Sequence, residues 1–343
     1  LWWPVLARNK KSVTANLREV RGQDLVKRLA AEADVLVENF KPGTIEKWGM
    51  GPEELHKINP ALIIARVSGF GQTGPYADRP GFASVGEAMG GLRYINGFPD
   101  QPPPRSGISL GDTLTGMFAA QGILMALYWR DAMGGGKGQV VDASIMESCF
   151  TMMESSLMEY DKLGVIREPS GTGLANIAPS NIYPTKDKKY VVIAANIDPM
   201  FKRLCEAMGQ PELAKDKRFV NHNARGNHVE VLDGIIAEWT STMTVKELDD
   251  HLEKHGVVTG PIYSIADIAK DPHYRERKMI RYMNDDALGE IAVPGIVPRL
   301  TETEGDIAWL GPQELGSHNK EVYGSLLGIS DSELDELSND GII

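Results

Sequence analysis

The chain has 343 residues, of which 42% are hydrophobic and 24% charged, so it is long enough for about two domains with packed cores. Its formal net charge of -11 at neutral pH argues against a general nucleic-acid or membrane-surface binder. We see no apolar run of the length that a membrane span needs, and we expect a protein of the cytoplasm or of an organelle matrix.

The two cysteines, Cys149 and Cys205, lie far apart and have no further ligands at metal spacing. We therefore expect two inert core thiols, and neither a disulfide framework nor a metal site. The basic residues gather near the start: seven Lys or Arg residues stand against two acidic residues in the first 28. This patch suits a phosphorylated small molecule or, equally, a solvated face.

In the first third of the chain, amphipathic helical patterns alternate with short apolar strands. The pattern predicts helices at 22–33 and 52–58 and strands at 34–38 and 61–67. Such alternation indicates a parallel sheet built from βαβ units. Glycine-bearing turns follow both strands, at 39–43 and 68–75. They fall at the carboxyl ends of the strands, where open sheets of this kind bind ligands.

A buried helix is predicted from about Asp112 to Arg130, directly after Gly111. A lone carboxylate thus stands at a helix N-terminus, where Asp commonly serves as an N-cap. The alternative is a carboxylate that the positive end of the helix keeps ionised and that acts as a nucleophile in acyl transfer. The local sequence leaves both interpretations open.

The rest of the chain predicts a second, smaller domain and a docked tail. The glycine run at 134–138 lacks the features of a phosphate-binding loop and leads into a strand at 139–143. One Met-rich helix is predicted over 145–163, followed by a flexible connection at 167–173. Beyond it we predict a strand at 190–195, a helix at 199–208 and a capping-box helix from Thr244, with the domain ending near Gly289; a last helix follows Ser330.

Six stretches together resemble the family III CoA-transferases, in the family's order along nearly the whole chain. They are residues 8–13, 34–43, 68–75, Gly111-Asp112 with Gly116, 136–142, and Leu315-Gly316 with His318. The resemblance implies an α/β fold with a Rossmann-like parallel-sheet large domain, from residues 1–170 and 290–343, that binds CoA and carries the catalytic residue. It also implies a smaller α+β domain from 171–289 and an interlocked homodimer. Roughly the family's first strand and its glycine turn are not matched, which suggests a truncated N-terminus.

The resemblance also implies a chemistry. A family III enzyme moves CoA from an acyl-CoA donor, here succinyl-CoA or a similar thioester, to a carboxylic acid. Asp112 stands where the family has its catalytic aspartate, which forms a covalent thioester with CoA. CoA is a substrate, and no cofactor or metal is implied. The overall pattern is most similar to members that handle short dicarboxylates. The CoA-contact positions of the family fall on Ala15, Arg18, Asn39, Phe40, Lys47 and Trp48.

Two alternatives stay open beside the transferase. An acyl-CoA racemase or epimerase on the same fold would need a proton-transferring histidine where this chain has Gly81-Phe82, and phenylalanine cannot exchange protons. We expect Phe82 to line the acyl pocket instead. A CoA-binding protein without catalysis is the second alternative. Gly171 and Gly173 are assigned to the family's mobile loop over the substrate. Three arginines are candidates for a second substrate carboxylate: Arg79, Arg93 and Arg105.

Overall fold

The computed structural model describes residues 1–343 and contains both helices and strands. The helices α1 to α16 are Trp3–Leu6, Val20–Glu32, Thr44–Lys47, Pro52–Ile58, Ala83–Met89, Leu110–Asp131, Ile145–Thr151, Ser156–Leu163, Asp198–Ala207, His222–Gly226, Val229–Thr240, Val245–Lys254, Ile265–Lys270, Pro272–Glu276, Asn319–Leu327 and Asp331–Asn339. The strands β1 to β8 are Val35–Glu38, Ile63–Ser68, Val140–Ser144, Ser180–Pro184, Tyr190–Ala194, Thr259–Pro261, Ile280–Asp285 and Gly289–Pro294.

The chain divides into two compact units. The large unit comprises Leu1–Leu92, Ser106–Glu154 and Asp271–Ile343, and the small unit comprises Arg93–Arg105 and Ser155–Lys270. In the large unit, β1, β2 and β3 form a parallel sheet in that order, as the alternating pattern predicts. The central strand β2 is buried along Ile63, Ile64 and Ala65, which explains its continuous apolar run. The α/β class with a parallel sheet is therefore confirmed.

In the small unit, β4, β5 and β6 form an antiparallel sheet. Its core gathers around β5 and the helices α9, α11 and α12, with Ile193, Phe201, Ile236 and Leu252 fully or almost fully buried. The helix α12 begins with the predicted capping box, in which Thr244 and Glu247 satisfy each other's backbone N–H groups. Segregated helices and an antiparallel sheet make this unit α+β.

The units do not have the bounds that we expected at residues 170 and 289. The single helix predicted over 145–163 is wrong, because α7 ends at Thr151 and α8 begins at Ser156. Between them Glu154 has a φ of 50°, which no right-handed helix accommodates. The chain passes from the large unit to the small unit in this break, between Glu154 and Ser155. The β7–β8 hairpin belongs to the large unit, where Val293 packs against Ile307 and Leu310.

Both ends of the chain build the large unit. The N–H of Ser12 donates to Nδ1 of His318 at 3.2 Å, and the N–H of Thr14 donates to Oδ1 of Asn319 at 2.8 Å. The hydroxyl of Tyr323 donates to the carbonyl of Thr14 at 2.8 Å. The closing Leu315–His318 stretch therefore ties the C-terminal segment to residues 12–14, as the resemblance implies.

Helix α6 exists as predicted, but the expectation that it is buried is wrong for a single chain. Its contacts are with β2, β3, α5 and α7, because the sheet offers it a single face. Its other side exposes large apolar residues, namely Met117, Leu124, Met125, Tyr128 and Trp129. By length and composition α6 is also long and apolar enough to cross a membrane, and 22% of its apolar stretch is buried. The expectation that the chain has no apolar run of this length is therefore wrong.

Candidate active site

Asp112 is the third residue of α6, and Ser109 occupies the N-cap position. The side chain of Asp112 is exposed, and its carboxylate accepts no hydrogen bond. The interpretation of Asp112 as a capping residue therefore fails. Its oxygens remain without a hydrogen-bond donor from the chain, near the positive end of a 22-residue helix.

Glycines let three helices approach closely beneath this carboxylate. A Cβ on Gly86 of α5 would lie 2.5 Å from Cγ2 of Ile145, and one on Gly90 would lie 2.6 Å from Cβ of Cys149. On α6, a Cβ on Gly111 would lie 2.9 Å from the same methyl of Ile145. Real Cβ contacts are longer, so α5, α6 and α7 can pack this way only with glycine at these positions.

This packing brings a second carboxylate, that of Glu87 on α5, to the start of α6. Glu87 is only 3% exposed, and its Oε1 accepts the N–H of Gly111 at 3.1 Å. Loss of hydration raises the pKa of Asp112 above that of an ordinary carboxyl, and the charge of Glu87 raises it further. The pKa of the Cys149 thiol is also raised, by burial and then by Glu87 and Asp112.

Both cysteines are free and buried, as predicted for core thiols. Burial raises the pKa of Cys205 to about 12. Neither thiol is therefore poised as a nucleophile, because the thiolate is the reactive form.

The predicted turn after β1 is held by a buried ion network at the carboxyl end of the sheet. Arg66 of β2 donates through Nε to Glu38 and through Nη1 to Glu46, at 2.7 Å in both cases. The other oxygen of Glu38 accepts the N–H of Phe40 at 2.7 Å. Burial opposes the ionisation of Glu46, but the hydrogen bond from Arg66 and nearby backbone donors outweigh it, so the pKa of Glu46 is lowered.

The structure gathers several of the predicted CoA-contact residues around this turn. The rings of Phe40 and Trp48 meet edge to face, with centroids 5.2 Å apart. Trp48 and Leu17 both pack against the apolar cluster that contains Ile45 and Met50.

The polar members of the same set face solvent. Asn39, Arg18 and Lys47 are exposed, whereas Ala15 is half-buried. The side chains of Arg18 and Lys47 form no ion pair within the chain. Two unpaired cations and two aromatic rings of the predicted set thus belong to the large unit.

The remaining predicted site residues fall in both units. Phe82 is the N-cap of α5 and is 77% exposed. Its neighbour Ala83 has its carbonyl oxygen 3.4 Å from where a Cβ on Gly111 would stand, so Phe82 lies close to the turn that carries Asp112. Gly171 and Gly173 belong to the small unit, where the N–H of Gly171 donates to the carbonyl of Gly97 at 2.9 Å.

The three candidate arginines also belong to different units of the chain. Arg79 stacks over the ring of Tyr76 at 3.9 Å in the large unit, whereas Arg93 and Arg105 belong to the small unit. Stacking orients the guanidinium of Arg79 and leaves its charge unneutralised.

Glu87, Glu38 and Arg66 were not singled out from the sequence. A signal for Arg66 existed, since a charged residue inside the apolar run 61–67 must find a partner when that run is buried. For Glu87 the only signal was its place between Gly86 and Gly90, which mark a close helix contact.

A parallel-sheet unit that carries an unbonded carboxylate at a helix start, together with exposed cations and aromatic rings, is suited to group transfer from a large anionic substrate. The family model for CoA-transferase family III matches residues 1–319. The chain belongs to this family, and it is a CoA-transferase that moves CoA between an acyl-CoA and an acid.

Named relatives and solved structures agree with this assignment. The chain is 54% identical to the succinyl-CoA–D-citramalate CoA-transferase of Chloroflexus aurantiacus, over 97% of this chain and 82% of the relative. It is 32% identical to the succinyl-CoA:glutarate CoA-transferase of Mus musculus, over 98% and 76%. A CaiB/BaiF family protein from Brucella suis superposes with a TM-score of 0.82 at 33% identity, over 95% and 84% of the two chains.

Proposed function

We propose that this enzyme transfers CoA from succinyl-CoA to a short dicarboxylic acid, and that citramalate is the acceptor to test first. The 54% identical relative carries both substrates in its name, and two further relatives are named as succinyl-CoA–L-malate CoA-transferase subunits. Arg79, exposed and stacked on Tyr76, is our candidate partner for the second carboxylate of the acid.

In the proposed mechanism Asp112 is the nucleophile. Its carboxylate attacks the thioester carbonyl of succinyl-CoA, the C–S bond breaks, and a mixed anhydride and CoA thiolate form. The thiolate then attacks the aspartyl carbonyl, which releases succinate and leaves an aspartyl-CoA thioester. The acceptor carboxylate repeats these steps in reverse, so that the acyl-CoA product leaves and Asp112 is regenerated. No redox or metal chemistry is required.

The observation that carries this proposal is the free carboxylate of Asp112 at the start of α6. A carboxylate bound in capping hydrogen bonds would have to break them before it attacked. The backbone N–H of Asp112 donates to no acceptor in the chain, and it is our candidate donor to the oxyanion that forms at the thioester carbon.

We assign the CoA chain to the surface around the turn after β1. Arg18 and Lys47 would pair with phosphates, since neither has a partner in the chain. Phe40 and Trp48 offer ring faces or edges to the adenine or the pantetheine arm. Asn39 and Ala15 complete this surface. Phe82, beside the Asp112 turn, would line the acyl pocket. Gly171 and Gly173 are our candidates for the mobile glycine loop of the family.

We further propose that two copies form the interlocked homodimer and that the enzyme works in the cytoplasm. The exposed apolar side of α6 supports an oligomer, because monomeric proteins rarely leave a stripe of this kind in water. Light scattering after size-exclusion chromatography tests the dimer, and a monomeric mass at micromolar concentration would contradict it.

The test of function is an acceptor screen with succinyl-CoA against mono- and dicarboxylic acids, with Asp112→Asn as the blank. We expect product CoA thioesters with the unsubstituted enzyme and none with the variant, which keeps the shape but loses the nucleophile. Near-normal turnover by Asp112→Asn would contradict the mechanism. Substrate labelled with deuterium at the α-carbon should retain its label, whereas a racemase would lose it.

A further inference from the structure

The start of α6 has an unusual arrangement of caps. An α-helix leaves its first backbone N–H groups without intrahelical partners, and an N-cap side chain commonly accepts one of them. Ser109 at the N-cap makes no such bond. The N–H of Gly111 is bonded instead by Glu87, a residue on another helix.

We propose that Glu87 is a positioning residue for Asp112, because it accepts the N–H of the preceding residue, Gly111, and so fixes the helix start that carries the carboxylate. The inference rests on the proposed function, in which Asp112 is the nucleophile. The Gly111 N–H is one of the helix-start donors that have no intrahelical partner, and its bond to Glu87 ties the first turn of α6 to α5.

Packing fixes Glu87 in this position. Its side chain is 3% exposed, and its helix is pressed against α7 through Gly86 and Gly90, where any Cβ would clash. The acceptor therefore cannot swing away from Gly111 without moving α5. This rigidity distinguishes Glu87 from an ordinary surface cap, whose side chain changes rotamer freely.

The charge of Glu87 has a second consequence for the same reaction. It lies near enough to raise the pKa of Asp112, in addition to the effect of lost hydration. Among the packed helices, α5 contributes Glu87 and α7 contributes the buried thiol of Cys149, whose own pKa is raised. Asp112 forms no ion pair with a cation. Removal of the Glu87 charge should therefore lower the pKa of Asp112, so that the carboxylate ionises at a lower pH.

Two substitutions separate the two effects. Glu87→Gln keeps an oxygen that can accept the Gly111 N–H but removes the charge, whereas Glu87→Ala removes both. Glu302→Gln is the matched control, since it removes one charge from an exposed side chain of the same unit. The readout is the single-turnover rate at which the Asp112 peptide gains CoA from succinyl-CoA, measured by mass spectrometry between pH 4 and 8. This pH range covers the region in which a carboxyl with a raised pKa titrates.

For Glu87→Gln we expect the acid limb of the rate to move to lower pH, with the plateau within about tenfold of the unsubstituted enzyme. For Glu87→Ala we expect a plateau about 100-fold lower, because the nucleophile is no longer held in place. Glu302→Gln should change neither. A thermal scan shows whether Glu87→Ala folds. If it does not, the acid limb and the plateau of the pH–rate profile of Glu87→Gln still test the inference.

The outcomes distinguish this inference from the proposed function. An unsubstituted enzyme that turns over without a CoA adduct on Asp112 would overturn the proposed mechanism and this inference with it. An adduct that forms at the same rate and with the same acid limb in both Glu87 variants would overturn only the positioning role.

Discussion

The substitution Arg66→Met tests the ion network that holds the turn after β1. The guanidinium is 7% exposed and the carboxylate of Glu38 is 4% exposed, so both charges are taken out of water. Methionine matches much of the arginine stem but leaves the charge of Glu38 buried without its cation. Removal of one partner from such a pair costs about 3–5 kcal/mol. For a unit of this size that corresponds to a fall in Tm of about 6–20 °C.

Calorimetry provides the assay, with two further variants as controls. Arg281→Met breaks a pair with Asp306 in which the two side chains are 30% and 70% exposed. Solvent screens this pair, so the Tm should change little. The double variant Arg66→Met with Glu38→Gln removes the orphaned charge while keeping an acceptor for the N–H of Phe40, and it should recover a large part of the lost stability. A Tm for Arg66→Met no lower than that for Arg281→Met would refute the reasoning.

Two further predictions concern the CoA surface and the sheet. Phe40→Ala should raise the KM for acyl-CoA about tenfold, because the variant loses the ring that we assign to CoA. The Tm should change little, since Phe40 is 41% exposed and its edge-to-face contact contributes about 1 kcal/mol. Steady-state kinetics with an unchanged KM would contradict the assignment. Gly138→Ala should destabilise the enzyme by about 2–3 kcal/mol, since its Cβ would lie 1.9 Å from the carbonyl oxygen of Leu62. Gly324→Ala is the control and should not destabilise the enzyme, because its Cβ would have room. Equal unfolding midpoints for the two alanine variants would contradict this packing.

Local signals were sufficient where a segment's structure depends on its own residues. The strands β1 and β2 are short apolar runs closed by turns, β3 follows a glycine run, and α12 begins with a capping box. Their positions therefore follow from nearby residues. The start of α6 follows likewise from the Gly111 turn and the spacing of its apolar residues. The catalytic candidate Asp112 came from that local pattern together with the family resemblance.

Other features depend on contacts between distant segments. The bond from Gly111 to Glu87 joins residues 24 apart, and it exists because three helices pack through glycines. The break at Glu154 was missed because Met-rich spacing continues through it. Periodicity also shows which residues of α6 are apolar, but it does not show whether this chain buries them.

The central claim is that Asp112 becomes covalently attached to CoA, and peptide mass spectrometry tests it most directly. The enzyme is mixed with succinyl-CoA without an acceptor, quenched in acid and digested. We predict a CoA adduct on the peptide that contains Asp112, its loss on treatment with hydroxylamine, and its absence from Asp112→Asn. An enzyme that exchanges CoA at its normal rate while this peptide stays unmodified would contradict the account.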